Sequence, residues 1–191
     1  LETTQGPVTI EMRPDLAPGH VARIKELVRE GFYDGIVFHR VIEGFMAQTG
    51  CPQGTGTGGS GKKLKAEFNK EPHVRGTASM ARAANPDSGD SQFFICFDDA
   101  AFLNGQYTVW GKVLVGLDVV RALKTGEPVR DPDVMTRVQI ASDMPETERP
   151  RLQVADARGP AFQRQVDTVR RAKGADFSAC DLEPAVRTVE R

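Results

Sequence analysis

The 191-residue sequence lacks the features that mark disulfide-bonded, zinc-binding and membrane-spanning proteins. Its three cysteines, Cys51, Cys96 and Cys180, lie far apart and are odd in number, so they fit neither a disulfide framework nor a zinc site. No apolar run approaches the roughly 20 residues that a membrane-spanning helix needs, which predicts no membrane association. We expect a reducing cytoplasm. Because the sequence starts at Leu1 rather than Met, a removed signal peptide and a periplasmic location are the alternative.

The sequence also lacks an excess of charge of either sign. Its formal net charge is −1, so it has no basic surplus of the kind that nucleic-acid binders carry, and nucleic acid is not an expected partner. With 39% hydrophobic and 27% charged residues, it does not have a disordered composition. The length fits one globular domain with an appendage, and we predict a monomer.

The hydrophobic pattern predicts many short strands and two helices. Apolar residues at helical spacing predict helices over 16–30 and 117–124. A hairpin that turns at Gly6 and Pro7 is predicted over 1–12. Further strands are predicted over 36–42, 45–51, 64–68, 76–82, 91–97, 107–114 and 134–142. This mainly β pattern favours a closed β-barrel capped by helices over a βαβ array.

The composition changes near Met144, where the polar, proline-flanked segment 145–150 has the character of a linker. We predict a globular domain over 1–144 and a C-terminal extension over 145–191. Apolar residues at helical spacing predict a helix over 160–173, but the extension is too short for a core of its own. We expect it to dock on the barrel, and a partner-binding arm is the alternative.

A single guanidinium among apolar side chains is the most informative chemical pattern. Arg40, Phe45, Met46 and Gln48 lie within nine positions, and a turn near Gly44 could aim several of them into one concave face. The pattern indicates an apolar pocket with one polar group. A surface salt bridge is the alternative for the arginine.

Two segments closely resemble the cyclophilin family of peptidyl-prolyl isomerases: FHRVIEGFMAQTG over 38–50 and SQFFICF over 91–97. The resemblance covers 1–143, and within the family the sequence looks like the bacterial branch. It implies a closed eight-stranded cyclophilin-like β-barrel capped by two α-helices. It also implies isomerisation of Xaa-Pro bonds in proline-containing peptides and in unfolded protein clients, with assistance to folding and with no cofactor.

The resemblance implies a role for each residue of the site. Arg40 would be the catalytic arginine. The proline pocket would be lined by Phe45, Met46, Phe94 and Leu103. The backbone of the substrate and the residue before proline would be contacted by Gln48, Ala81, Arg82 and Gln92.

At three positions the sequence departs from common family members. Arg82 replaces an asparagine. We therefore expect a substrate contact made by the main chain of this residue to be retained more readily than one made by its side chain. Phe102 and Tyr107, which are also predicted to bind substrate, stand where many eukaryotic members have tryptophan and histidine. Because the tryptophan N–H is a hydrogen-bond donor that phenylalanine lacks, we expect weak binding of cyclosporin A, the typical inhibitor of the family. The loop over 83–90 is one residue longer than the common pattern.

The implied reaction needs no covalent chemistry. Rotation about an amide bond has a barrier of ~18–20 kcal/mol, and the nitrogen of the twisted amide regains a lone pair. A desolvated donor, together with binding that favours the twisted state, could supply the ~7 kcal/mol of a 10⁵-fold acceleration. Arginine suits this role because its charge cannot be lost and its planar donors form a fixed fork.

Other interpretations of these residues stay open. Alternation over 93–97 does not show whether Phe94, or Phe93 with Ile95, faces the pocket. His39 lies on the opposite side of the strand from Arg40, and we predict a structural histidine with satisfied hydrogen bonds. A proline-peptide binding or chaperone module is the alternative function. The segment 56–63 nearly matches a phosphate-binding loop, but Lys63 replaces the hydroxyl that binds magnesium, which argues against an ATP-dependent enzyme.

Overall fold

The computed structural model describes residues 1–154, 159–176 and 186–188. The chain divides into two compact units, Leu1–Met144 and Pro145–Arg191. The elements of the first unit are β1 (Glu2–Thr3), β2 (Gly6–Pro7), β3 (Thr9–Met12), α1 (Pro18–Arg29), β4 (Arg40–Ile42), β5 (Met46–Thr49), β6 (Thr77–Met80), β7 (Phe93–Cys96), β8 (Val109–Val115), α2 (Leu117–Arg121) and β9 (Met135–Arg137). The mainly β fold with two helices is therefore confirmed for this unit.

Strand pairing in the first unit forms two antiparallel sheets. The larger sheet has six strands in the order β3-β8-β6-β7-β5-β4, and the smaller has the order β2-β1-β9. Isolated bridges join Val37 to Val134 and Val41 to Gly126. Since the strands of the described part pair as two sheets and not as one ring, the closed eight-stranded barrel stays a prediction.

The N-terminal turn differs from its prediction. β1 and β2 pair directly, with Thr3 opposite Gly6, so the chain turns at Thr4 and Gln5 and not at Gly6 and Pro7. The hydroxyl of Thr3 donates to the carbonyl of Gly6 at 2.7 Å, and the N–H of Gln5 donates to Thr3 Oγ1 at 3.2 Å. Threonine favours turn positions because its hydroxyl can form such hydrogen bonds with the nearby backbone.

The strand predicted over 64–68 is wrong, because side chains satisfy the backbone there. Leu64 forms only an isolated bridge with Gly89. The N–H of Ala66 donates to Asp87, and the N–H of Glu67 donates to the hydroxyl of Thr108. Glu67 in turn accepts hydrogen bonds from the N–H groups of residues 19 and 20 at 2.9 Å, and so caps the first turn of α1.

The apolar face of α1 covers the main core of the first unit. Pro18 occupies the first turn of this helix, and its buried residues recur at the predicted helical spacing. They pack over the sheet with Phe93, Ile95 and Trp110. A second, smaller cluster contains Met46, Phe94, Cys96, Ala100 and Leu103. Because side chains alternate along β7, the strand contributes to both clusters, and the second one forms the floor of the site described below.

The described residues of the second unit contain one α-helix, a short 3-10 helix (Gly174–Asp176) and one pair of strands. The helix α3 runs from Pro160 to Lys173. The strands β10 (Leu152–Val154) and β11 (Val186–Thr188) pair antiparallel, with Gln153 opposite Arg187. Within the described ranges, no helix of the chain combines the length and the apolar character needed to cross a membrane. Cys180 lies outside the described residues.

Candidate active site

Three adjacent strands bring the predicted arginine, glutamine and phenylalanine side by side. In the register of the sheet, Arg40 on β4 lies opposite Gln48 on β5, and Gln48 lies opposite Phe94 on β7. Directly paired residues point to the same face of a sheet. Phe93 and Ile95 belong to the main core instead, so the alternation left open by the sequence places Phe94 at the site.

A cavity of about 120 Å³ opens on this face. It is lined by Arg40, Phe45, Met46, Gln48, Ala81, Arg82, Phe94, Leu103 and Tyr107. Pockets for drug-sized ligands usually have roughly 300–1,000 Å³, so this cavity suits a single small group such as a side chain. Of the predicted site residues, Gln92 and Phe102 lie beside the cavity and not in its lining.

Aromatic rings form the apolar part of the cavity. Phe94 is buried and stacks on the imidazole of His73, with ring centroids 6.1 Å apart and planes 17° apart. Tyr107 packs edge-on against Phe94 at 5.7 Å. The ring centroids of Phe45 and Phe102 lie 5.4 Å apart, and Phe102 is 65% exposed. Edge-on and offset contacts of this kind are favourable for aromatic rings, so the wall is rigidly supported.

His73 supports the ring of Phe94 from behind, and the sequence pattern did not identify it as part of the site. Its Nε2 lies 2.9 Å from the hydroxyl of Ser79, and its Nδ1 lies 3.1 Å from Asn104 Oδ1. Burial lowers the pKa of His73, and the hydrogen bond to Asn104 opposes that change. The side chain therefore stays neutral at ordinary pH and acts as a packed ring behind Phe94.

A continuous series of polar contacts crosses the other side of the cavity. The guanidinium of Arg40 donates from Nε to Glu127 at 2.6 Å, and its Nη1 lies 3.5 Å from Gln48 Oε1. Gln48 donates to Gln92 at 3.0 Å. Gln92 uses its own amide N–H groups on the carbonyls of Gly56 and Gly58, at 2.9 and 2.7 Å. Gln92 thus fixes Gln48 instead of lining the cavity.

In the glycine-rich segment, the backbone N–H groups that would have to bind a phosphate already donate to protein groups. The N–H groups of Gly56 and Gly58 donate to Cys51 Sγ at 3.2 and 3.3 Å. The N–H groups of residues 60 and 61 donate to the carboxylate of Asp90. The loop is folded around a thiol and a carboxylate, which argues further against the ATP-dependent alternative.

Cys51 has an unusual environment for a buried thiol. Burial alone raises its pKa, but hydrogen bonds from the backbone N–H groups of Gly58, Gly56 and Thr55 outweigh this and lower the pKa to about 7. Burial raises the pKa of Cys96 to about 12, with a further contribution from Asp99. Both thiols are free.

Among the described residues, no group of three or more His, Cys, Asp and Glu side chains could hold a metal ion.

The side chain of Arg82 is bound to the rim of the cavity. Its Nε and Nη2 donate to the carbonyl of Gln106 at 3.0 and 2.7 Å, and its Nη1 donates to the carbonyl of Ala83 at 2.9 Å. The guanidinium carbon lies 4.6 Å from the centre of the Tyr107 ring. The backbone of Ala81 donates to the carbonyl of Gln92 at 3.0 Å.

His39, which was predicted to be a structural histidine with satisfied hydrogen bonds, is buried next to Arg40. Neither ring nitrogen has a partner among the described residues. Burial lowers the pKa of the imidazole, and the nearby charge of Arg40 lowers it further. The predicted hydrogen bonds of His39 are therefore not formed with protein groups in the described part of the chain, and the N–H and carbonyl of the nearby Gly56 are used by Cys51 and Gln92.

Known proteins resemble this chain over most of its length. The family model described as cyclophilin type peptidyl-prolyl cis-trans isomerase/CLD matches residues 1–143. The chain belongs to the cyclophilin family. A probable peptidyl-prolyl cis-trans isomerase of Brucella suis is 54% identical over 160 residues, which cover 75% of this chain and 82% of the relative.

Solved cyclophilin structures have the same fold. The crystal structure of cyclophilin AquaCyp293 from Hirschia baltica has a TM-score of 0.83 and 33% identity, and the match covers 100% of this chain and 90% of that one. A cyclophilin-type isomerase of Cryptosporidium parvum, solved in the presence of the dipeptide Ala-Pro, has a TM-score of 0.67 and 28% identity over 72% of this chain and 94% of that one. The cyclophilin resemblance is thus confirmed, and the chain is a peptidyl-prolyl cis/trans isomerase of the cyclophilin type.

Proposed function

We propose that the cavity holds the proline ring of the substrate and that Arg40 stabilises the twisted amide. The observation that carries this proposal is the register that sets Arg40, Gln48 and Phe94 side by side on three strands. Met46, Phe94 and Leu103 are 2%, 5% and 8% exposed, so the floor of the cavity consists of buried apolar side chains. An apolar floor next to a cation provides both parts of the required site.

The arrangement lowers the barrier by differential binding. In the planar amide the nitrogen lone pair is delocalised, but in the twisted state it is localised and accepts a hydrogen bond. An arginine donor therefore gains strength as the bond rotates, which is the condition for an interaction to accelerate a step. The proline ring is held by apolar contacts while the acyl side rotates, so no covalent intermediate is needed.

The proposed substrates are proline-containing peptides and unfolded protein clients. Support comes from the Cryptosporidium parvum relative, which was solved in the presence of the dipeptide Ala-Pro. The cavity volume of about 120 Å³ supports recognition of one proline ring and not of a large rigid ligand. Gln48 and the backbone beside Ala81 face the same cavity and would contact the substrate chain around the proline.

We also propose that the two sheets of the first unit act as one closed barrel around the core. The hydrogen bonds that run between the sheets support this. Gly35 donates to the carbonyl of Met135, and Phe38 donates to the carbonyl of Asp133, which tie the segment before β4 to the region of β9. At the other end, Leu1 and Val8 exchange backbone bonds that extend the pairing of β1 and β2, and Val8 leads directly into β3 of the larger sheet.

Exchange NMR on a short Xaa-Pro peptide tests the mechanism, with the native protein, Arg40→Ala and Arg29→Ala compared. Arg29 is the matched control, because it pairs with Asp143 at 2.7 Å and does not line the cavity. We expect cis/trans exchange to fall at least about 100-fold in Arg40→Ala, since removal of one stabilising donor costs that order of rate. Peptide binding should persist. Slow exchange in the native protein despite peptide binding would instead support the binding-module alternative.

A further inference from the structure

The carboxylate of Glu127 contacts the side chain on which the proposed mechanism depends. Arg40 Nε donates to Glu127 Oε1 at 2.6 Å, whereas Arg40 Nη1 lies 3.5 Å from Gln48 Oε1. A separation of 3.5 Å is at the limit of a useful hydrogen bond, while a charged pair at 2.6 Å is a short one. The orientation of the guanidinium is therefore set mainly by Glu127.

The contact leaves most donors of the arginine available. A guanidinium is planar and has five N–H groups, one of them on Nε. The contact with Glu127 uses Nε, so it does not engage the N–H groups of Nη1, which is the atom that faces Gln48 in the cavity. A bond at Nε fixes the plane without occupying the atoms that point to the substrate.

The backbone around Glu127 is tied to the backbone around Arg40. Gly126 and Val41 exchange both of their hydrogen bonds, at 2.8 and 2.9 Å. Val129 donates to the carbonyl of His39 at 3.0 Å. Gly126 and Val129, on either side of Glu127 and Pro128, are thus bonded to the two neighbours of Arg40. A Cβ atom at position 126 would lie 2.8 Å from the carbonyl oxygen of residue 128, so only glycine fits this turn.

The ion pair of Arg40 and Glu127 is too exposed to contribute much to the stability of the fold. The side chains of Arg40 and Glu127 are 37% and 57% exposed. Exposed ion pairs contribute little to folding, so replacing Glu127 should leave the protein folded. What the pair determines is the direction of the arginine plane.

We propose that Glu127 is a positioning residue for the isomerisation: it holds the plane of Arg40 so that the Nη donors face the amide of the bound Xaa-Pro. This inference rests on the proposed role of Arg40 and deepens it. Small misplacements of a catalytic group reduce rates strongly, which makes the loss measurable.

The test compares Glu127→Ala and Glu127→Gln with a control variant, Asp143→Ala. Asp143 is the carboxylate partner of Arg29 Nε at 2.7 Å and lies outside the cavity lining. Exchange at saturating peptide should fall about tenfold in Glu127→Ala and about threefold in Glu127→Gln, which keeps a weaker neutral hydrogen bond. Peptide affinity should change by less than about twofold, and Asp143→Ala should match the native protein. In ¹⁵N NMR, the Arg40 Nε–H signal should be protected in the native protein and lose its protection in Glu127→Ala.

A double-variant cycle with Arg40→Ala separates the two proposals. If Glu127 acts through Arg40, the Glu127→Ala change should cost nothing further when Arg40 is already alanine. The positioning role is overturned if Glu127→Ala exchanges at the native rate, if its loss is the same with and without Arg40, or if the loss is confined to peptide affinity. If Arg40→Ala itself exchanges at the native rate, the proposed mechanism fails whatever Glu127 does.

Discussion

The guanidinium of Arg82 lies over the ring of Tyr107, with 4.6 Å between its central carbon and the ring centre. Its N–H groups at the same time donate to the carbonyls of Gln106, Ala83 and Ala84. One side chain therefore joins two segments of the cavity rim and holds the tyrosine against Phe94. An asparagine at this position would be too short for both contacts.

We expect Arg82→Asn to weaken peptide binding about three- to tenfold while leaving the exchange rate of the bound peptide nearly unchanged, because it loosens one wall of a preorganised cavity without altering Arg40. Arg82→Lys should not restore binding, since lysine lacks the planar fork that reaches both segments. Peptide titration by NMR, with exchange measured at saturation, checks both. Full recovery in Arg82→Lys would mean that charge alone matters at this position.

The exposed ring of Phe102 predicts the response to cyclosporin A. Phe102 packs on Phe45 with 65% of its surface exposed, and it carries no hydrogen-bond donor. Calorimetric titration should show binding weaker than nanomolar, and Phe102→Trp should tighten it about fivefold by supplying an indole N–H. Phe68→Trp is the control, because Phe68 is also exposed, at 44%, and lies outside the cavity lining. Nanomolar binding by the native protein would contradict this prediction.

The thiol of Cys51 should titrate near neutral pH in the folded protein. Its pKa is about 7, and that of Cys96 is about 12. In a Cys180→Ser background, thiolate absorbance should rise with a midpoint near pH 7, and Cys51→Ser should abolish this step while Cys96→Ser retains it. An unfolded thiol has a pKa of about 8.5, so the unfolded state binds more protons between these values. Stability should therefore rise from pH about 7 to about 8.5 and fall as the pH drops through 7.

The buried histidines His39 and His73 should respond differently to substitution by leucine. Both have a lowered pKa, so protonation favours unfolding, and stability should fall as the pH drops below about 6.5. His39→Leu removes an unpaired imidazole and should reduce this pH dependence with little loss at pH 7.5. His73→Leu removes the two ring hydrogen bonds to Ser79 and Asn104 and should cost about 1–3 kcal/mol at either pH, although Ser79 Oγ keeps its bond to the carbonyl of Thr108. Chemical denaturation at the two pH values measures both effects, and an equal loss in both variants at pH 7.5 would refute the distinction.

The parts of the site that lie on one strand or on neighbouring strands were predictable. Arg40 and Gln48 are close in sequence, and the alternation along β7 limited Phe94 to two orientations. The cyclophilin resemblance then indicated which orientation applies. The rest depended on contacts between distant segments: Glu127 is 87 positions from Arg40, and no local pattern marks it as a partner.

Predictions about irregular segments were weaker for a physical reason. Glu67 lies in a segment that reads as a strand, but its backbone bonds to a side chain and its carboxylate caps α1. Side-chain acceptors that satisfy a backbone are not visible in hydrophobic periodicity. The monomeric state, the cytoplasmic location and the docking of the C-terminal extension stay predictions.

The segment from Gly54 to Gly61 has consequences for engineering of the protein. Its composition is that of a flexible linker, which would make it an obvious place for an affinity tag, a fluorophore or a circular permutation. Its peptide groups instead bind Cys51 and Asp90 through their N–H groups and Gln92 through their carbonyls. One inserted residue would shift these partners out of register and release the amide that holds Gln48. Labels are therefore better placed elsewhere than in this glycine-rich loop.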